Sequence, residues 1–127
     1  MPHVDALQHA HWRTRGENGP MPVLLPLGSF QENEQRKALE AGGFKAEDIS
    51  CSETHCFLKI ADLQRWAQLA WSYLGTLPDG WSQDDENKWD EAIADIVEQL
   101  ESGDGISKNG DGDTVLRMVA SVAIAKK

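Results

Sequence analysis

The sequence predicts an α+β domain in which two long antiparallel strands pack against helices. Residues 113–127 predict one long strand. The nearly continuous apolar run within it, from Val115 to Ala125, is typical of a central strand covered on both faces. A more polar run, 46–57, predicts the second long strand. A central strand needs two neighbours, and the rest of the chain offers one convincing partner. Because a bare apolar edge would aggregate, we expect a homodimer or a partner protein to complete the sheet.

The first two helices are predicted by their apolar spacing and by the residues at their ends. A short helix covers 3–12, with apolar residues on one face. The next helix begins at Ser29, where Glu32 completes a capping box, and it ends at the glycines 42–43. The Pro- and Gly-rich stretch between these helices predicts a loop.

Two further helices lie between the predicted strands. Asp62 is the N-cap of the first, and Gly75 ends it. Ser82 and Asp85 form a second capping box, which begins a helix that continues to Gly103. The Gly-, Asp- and Asn-rich tract 102–113 predicts a loop before the closing strand.

Length and charge limit the classes of partner. The 127 residues suffice for one domain, and the net charge of −9 disfavours binding to nucleic acid or to anionic membranes. No apolar stretch is long enough to span a bilayer, and the N-terminus lacks the pattern of a signal peptide. Cys51 and Cys56 are five apart on a predicted strand, so they should face opposite sides and stay unpaired. We therefore expect a cytoplasmic protein.

Three segments in order resemble a known family. The helix ending "EAGGF", the strand that follows it and the closing run "VLRMVASVAIAKK" resemble the C-terminal half of class I S-adenosylmethionine-dependent methyltransferases of the fungal small-molecule type. Residues 11–26 resemble the substrate-side region that follows the fifth strand of that family. The resemblance implies a Rossmann-like arrangement in which the seventh strand lies between the fifth and the sixth.

The chain departs from this family where the cofactor should bind. The family holds S-adenosylmethionine on its first four strands, over a loop of the form E/D-x-G-x-G-x-G, and no such loop occurs here. The glycine clusters at 16–19, 42–43 and 103–105 do not follow a strand and open a helix. We therefore expect a truncated methyltransferase-like protein with no cofactor.

Three functions fit this resemblance. The first is binding of a hydrophobic small molecule of secondary metabolism, with a cofactor-independent cyclisation or isomerisation as the reaction. The second is a non-catalytic subunit that docks on a methyltransferase and completes or regulates it. The third is a fragment of a small-molecule methyltransferase. Whether the chain is an enzyme stays open at this point.

The candidate site residues are the polar and aromatic side chains of the substrate-side segments. His11 and Arg13 are the catalytic candidates, because an imidazole titrates near neutral pH; a core histidine is the alternative. No metal is expected: His9 and His11 are two residues apart where a helical ligand pair needs four. The substrate-binding candidates, for which core or interface packing is the alternative, are Trp12, Arg15, Met21, Trp66, Trp71 and Tyr73.

Overall fold

A computed structural model describes residues 1–23 and 33–126 and has an α+β architecture. The elements in chain order are α1 (Pro2–Arg15), α2 (Glu34–Ala41), a 3-10 turn (Ala46–Asp48), β1 (Ile49–Ile60), α3 (Leu63–Leu74), α4 (Gln83–Asn87), α5 (Trp89–Ser102), β2 (Ile106–Lys108) and β3 (Thr114–Ala125). The two long predicted strands are confirmed as β1 and β3. The capping box predicted at Ser29 and Glu32 lies outside the described residues.

The three strands form one antiparallel sheet with β3 in the centre, in the order β1-β3-β2. Ile106 pairs with Leu116, and Lys108 pairs with Thr114. On the other side of β3, the Lys126 amide donates to the Asp48 carbonyl at 3.1 Å. The central position that the apolar run predicted for this strand is therefore confirmed.

Two expectations about the sheet need correction. The chain itself supplies a second neighbour for β3, since β2 lies within the tract that was predicted to be a loop. Burial on both faces is also not found, because the apolar side chains Val119, Val122 and Ile124 are exposed. The strand β2 has three residues and pairs with only one end of β3. The apolar run alone therefore predicted the central position of β3 but not how little of the strand is covered.

The chain divides into two compact units, and both long strands run from one unit into the other. The larger unit comprises the described residues of 1–26 together with 57–118. Its core joins α1, α3 and α5 with the ends of β1 and β3. The fully buried apolar side chains of this core include Leu7, Trp71, Ile93, Ile96, Leu100 and Leu116.

The smaller unit comprises the described residues of 27–56 together with 119–127. Side chains of α2 bind its backbone: Arg36 donates to the carbonyls of Ala46 and Ile49, each at 3.2 Å. Gln35 Nε2 donates to the Ser121 carbonyl at 2.8 Å. Hydrogen bonds to the backbone, rather than buried apolar side chains, attach this helix, which has no buried residue.

Helix ends in the larger unit follow the sequence signals. The Asp62 carboxylate accepts a hydrogen bond from the Arg65 amide at 2.8 Å, as an N-cap does. Ser82 and Asp85 make the predicted reciprocal capping box. The helix predicted from Ser82 to Gly103 is interrupted at Lys88, whose ammonium donates to the Thr14 carbonyl at 3.0 Å and so binds the end of α1.

The remaining sequence expectations concern membranes and thiols. Among the described helices, none combines the length and the apolar character that crossing a bilayer requires. Cys51 and Cys56 are free and exposed.

Candidate functional site

Helix α1 carries two histidine–arginine pairs that interleave in the sequence HAHWRTR. His9 and Arg13 form one pair, and His11 and Arg15 form the other. Members of a pair are four residues apart and so lie on the same side of the helix. The two pairs are offset by two residues, which rotates them by about 200° around the axis. Each pair therefore meets a different part of the larger unit, and each meets a different aspartate.

The first pair binds Asp95 of α5, and with Glu91 these residues make up the outer cluster. His9 Nδ1 lies 2.7 Å from one carboxylate oxygen of Asp95, and Arg13 Nη1 donates to the other at 2.9 Å. Arg13 Nε also lies 3.5 Å from Glu91 Oε1. The Asp95 side chain is 0% exposed, whereas that of His9 is 47% exposed. The cluster therefore connects a buried carboxylate to a solvent-facing imidazole.

The contact with Asp95 determines the tautomer of neutral His9. An ionised carboxylate only accepts hydrogen bonds, so Nδ1 must carry the proton and donate it to Asp95. The other ring nitrogen, Nε2, then has a free lone pair. Within the described residues, no side chain or backbone group forms a hydrogen bond with His9 Nε2. This arrangement is that of an imidazole oriented for accepting a proton.

The second pair binds Asp85 and two indole rings, which together make up the inner cluster: His11, Arg15, Asp85, Trp71 and Trp81. Arg15 Nε donates to Asp85 Oδ1 at 2.6 Å, and its Nη1 donates to the Gly75 carbonyl at 2.7 Å. The guanidinium carbon lies 4.8 Å and 5.0 Å from the centres of the Trp71 and Trp81 rings. Because the Arg15 side chain is only 7% exposed, these contacts replace most of its hydration.

Hydrogen bonds keep Asp85 ionised in this setting. Burial raises the pKa of the Asp85 carboxyl, but the backbone N–H of Ser82, the guanidinium of Arg15 and the Ser82 hydroxyl together outweigh burial. The net result is a pKa below the ordinary value for aspartate. The same carboxylate therefore caps α4 and neutralises the buried arginine.

His11 is neutral inside the inner cluster. Burial lowers its pKa, and the neighbouring Arg15 charge lowers it further, against a smaller opposing effect of Asp85. Arg15 Nη1 approaches His11 Nδ1 at 3.4 Å, which makes Nδ1 the acceptor and places the proton on Nε2. Both His11 Nε2 and Arg15 Nη2 are buried without a hydrogen-bond partner among the described residues.

The catalytic candidates named from sequence occupy opposite sides of α1. His11 is 1% exposed and faces the inner cluster, so it offers no nitrogen to a ligand on the surface. Arg13 is half exposed, and hydrogen bonds with Asp95 raise its pKa, with a smaller contribution from Glu91. The structure thus assigns the two residues to different clusters.

The substrate-binding candidates are likewise dispersed. Trp71 is fully buried and edge-on to Trp81, at 6.0 Å between ring centres, while Trp66 packs against the core. Tyr73, two residues after Trp71 on α3, is 71% exposed. Trp12 and Met21 are partly exposed, and Arg15 belongs to the inner cluster.

Three residues of the outer cluster, His9, Glu91 and Asp95, were absent from the sequence-based candidates. His9 was considered only as a metal ligand, and Asp95 lies in the apolar stripe of α5, four residues after Glu91. The sequence did contain a signal for this cluster. His9 and Arg13 are four residues apart and lie on the same side of α1, so one carboxylate can bind both side chains. Which of the many carboxylates would do so depends on the packing of α1 against α5.

Neither a metal site nor a similar known protein assigns a role to these clusters. Over residues 1–23 and 33–126, no group of three or more His, Cys, Asp or Glu side chains is arranged to hold a metal ion. None of the protein-family models, curated proteins or solved structures compared with the chain matches it.

Proposed function

We propose that the chain is a methyltransferase-like protein that lacks an S-adenosylmethionine site, binds a hydrophobic small molecule and promotes a cofactor-independent step such as a cyclisation or isomerisation. The observation that carries this proposal is the pairing of β1 with β3 in an antiparallel sheet, with α3, α4 and α5 inserted between them in the chain. The resemblance assigns these strands to the sixth and seventh positions of the family's sheet.

The strand neighbours support this assignment in more detail. In the family the closing strand is central, and β3 is central here. The position that the fifth strand would take is occupied by β2 only at Ile106–Lys108, opposite Thr114–Leu116. A loop of the form E/D-x-G-x-G-x-G is absent from the sequence, so the proposal includes no cofactor.

The class of ligand follows from the exposed aromatic side chains of the larger unit. Trp12 on α1 and Tyr73 on α3 each present an aromatic surface to solvent. Aromatic faces of this kind bind planar apolar molecules through burial of area and edge or stacking contacts. Trp71 and Trp66, in contrast, contribute to the core and would act on a ligand only through the fold.

Calorimetric titration of the full chain tests the proposal, with S-adenosylmethionine and 1-naphthol as the two probes. We expect no heat of binding with the cofactor and saturable binding of the aromatic phenol. Tyr73→Ala or Trp12→Ala should weaken naphthol binding, while Phe57→Ala, which removes an exposed aromatic ring from β1, should leave it unchanged. Saturable cofactor binding, or naphthol binding that no aromatic substitution alters, would reject the proposal.

Docking on a methyltransferase is the second candidate, and the exposed apolar residues of β3 favour it. Val119, Val122 and Ile124 lie on the last half of the strand and face solvent. Exposed apolar side chains on a strand are suited to association with another protein. Light scattering on the full chain mixed with a small-molecule methyltransferase should then give a mass above that of either protein alone, and Val122→Lys should abolish this complex.

A further inference from the structure

We propose that His9 and Asp95 form a general-base site on the surface of α1 and α5, in which His9 Nε2 removes a proton from a neutral, planar aromatic carbon acid. His9 would be the catalytic residue, because its Nε2 would contact the substrate. Asp95 would be a positioning residue that acts through His9. This proposal uses only contacts within the larger unit and does not depend on the resemblance to methyltransferases.

The geometry supports a base rather than a structural ion pair alone. One arginine would suffice to neutralise the buried Asp95, and Arg13 already occupies one of its oxygens at 2.9 Å. The other oxygen receives His9 Nδ1–H at 2.7 Å, which fixes the plane of the ring and leaves Nε2 as the acceptor. A base held by a second group in this way is the arrangement found in hydrolytic triads.

Proton transfer fits the neighbourhood better than nucleophilic catalysis. Within residues 1–23 and 33–126, no hydroxyl or thiol group forms a hydrogen bond with His9. A positioned imidazole without such a nucleophile can still abstract a proton, and general-base catalysis contributes about 10²- to 10⁴-fold to a rate.

Charge and aromatic surface define the class of substrate. With His9 neutral, Asp95 and Glu91 carry two negative charges against one positive charge on Arg13, so the outer cluster disfavours anionic substrates. Trp12 is three residues after His9 on α1, and residues at this spacing are neighbours on a helix surface. Its partly exposed indole can cover one face of a planar ring.

The probe reaction is the ring opening of 5-nitrobenzisoxazole, which needs only a base. His9 Nε2 takes the proton from the ring carbon, and the electron pair of that C–H bond completes a carbon–nitrogen triple bond. The nitrogen–oxygen bond breaks, and its electron pair leaves on oxygen to give a coloured nitrophenolate. The proton on His9 then returns to water, so no oxidant, reductant or second substrate is required.

Rates would be measured for the full chain and for three variants at equal concentration, His9→Gln, Asp95→Asn and His55→Gln, with free imidazole as reference. His9→Gln should lower the rate by about 100-fold, the lower end of what a positioned base contributes. His55→Gln, which removes an exposed histidine from β1, should change it less than about twofold. A chain no faster than imidazole, or a His9→Gln variant at the wild-type rate, would overturn the proposal.

Nitrogen NMR of the histidine rings gives a readout independent of the rate. We expect neutral His9 to carry its proton on Nδ1, and Asp95→Asn to produce a mixture of the two tautomers while circular dichroism confirms that the variant is folded. If Asp95→Asn fails to fold, the tautomer of His9 in the wild-type protein and the rate of the His9→Gln variant still test the proposal. A wild-type His9 with its proton on Nε2 would overturn the proposal.

Discussion

The outer and inner clusters have the same composition at their centre and differ in what surrounds it. Each contains a histidine and an arginine four residues apart on α1, and in each the arginine binds a buried aspartate from another helix. In the outer cluster the histidine donates to the aspartate, and its side chain is half exposed. In the inner cluster the histidine accepts from the arginine, and two indole rings enclose the arginine.

This difference shows that burial, and not residue type, decides which of two similar clusters is open to solvent. His11 was one of the two sequence-based catalytic candidates because an imidazole titrates near neutral pH, yet its buried position on α1 makes it inaccessible. His9 lies two residues away and is half exposed, so it can meet a substrate. Substitutions that act on one cluster and spare the other can test this comparison.

The largest effect is expected from Arg15→Ala. This change leaves Asp85 buried without its cationic partner, and breaking a buried pair costs about 3 to 5 kcal/mol. Urea denaturation should show a loss in the free energy of unfolding near the lower value, because Ser82 still binds the carboxylate. Arg13→Ala, the equivalent change in the outer cluster, also leaves a buried carboxylate, but it should cost less. Arg13 is half exposed and His9 still binds Asp95, whereas Arg15→Ala also removes the contacts with two indole rings and the Gly75 carbonyl. Equal losses would contradict the division into inner and outer clusters.

Gly75→Ala should be the next most damaging change, because Gly75 closes the inner cluster over Trp71. A Cβ at this position would lie 2.7 Å from both a ring carbon and the carbonyl oxygen of Trp71. Overpacking of this kind costs about 1 to 3 kcal/mol, which thermal unfolding would detect. Gly110→Ala is the matched control, since a Cβ there has no atom within 4 Å. If Gly75→Ala and Gly110→Ala both unfold at the same temperature as the wild-type protein, the close packing at Gly75 is wrong.

Lowering the pH should destabilise the protein through His11. Its pKa lies near 6.5 in the unfolded chain and lower in the folded one, so between these values the unfolded state binds more protons. The contribution of His11 to the free energy of unfolding is complete above about pH 6.5. It falls as the pH drops through the interval between the two pKa values and levels off below the folded pKa.

His3, whose pKa burial also lowers, would add a contribution of the same sign. Denaturation midpoints from pH 7.5 to 5 should therefore be compared in a His3→Gln background, with and without His11→Gln. We expect the double variant to lose less stability on acidification than His3→Gln alone. Parallel curves for the two proteins would show that His11 is not held neutral.

Ser82→Ala should have the smallest effect of the four. It removes the side chain that caps α4 and one hydrogen bond to Asp85, while Arg15 keeps its bond to the carboxylate. Loss of a serine N-cap costs about 1 kcal/mol. Asp62→Ala removes the N-cap of α3, which lies away from either cluster, and so shows what the loss of an N-cap alone costs. A loss as large as that of Arg15→Ala would mean that Ser82, and not Arg15, retains Asp85 in its buried position.

Local chemistry explains which parts of the fold could be predicted. The N-caps at Asp62 and Ser82 and the ends at Gly75 and Gly103 depend on residues close together in the chain, and each is confirmed. The break at Lys88 was missed because the contact that accompanies it, from the Lys88 ammonium to the Thr14 carbonyl, joins residues far apart in sequence. The strand β2 was missed because three residues in a Gly- and Asp-rich tract carry too little pattern.

The sequence by itself determined the α+β class, the two long strands and the histidine–arginine spacing on α1, because apolar periodicity and capping act over a few residues. Only the tertiary structure decided which aspartate each pair meets and which histidine stays exposed. Packing of α1 against α5 brings His9 to Asp95, 86 residues away, and the approach of Trp71 and Trp81 buries Arg15. Contacts over such separations leave no periodic trace in the chain, so the difference between the two clusters arises on folding.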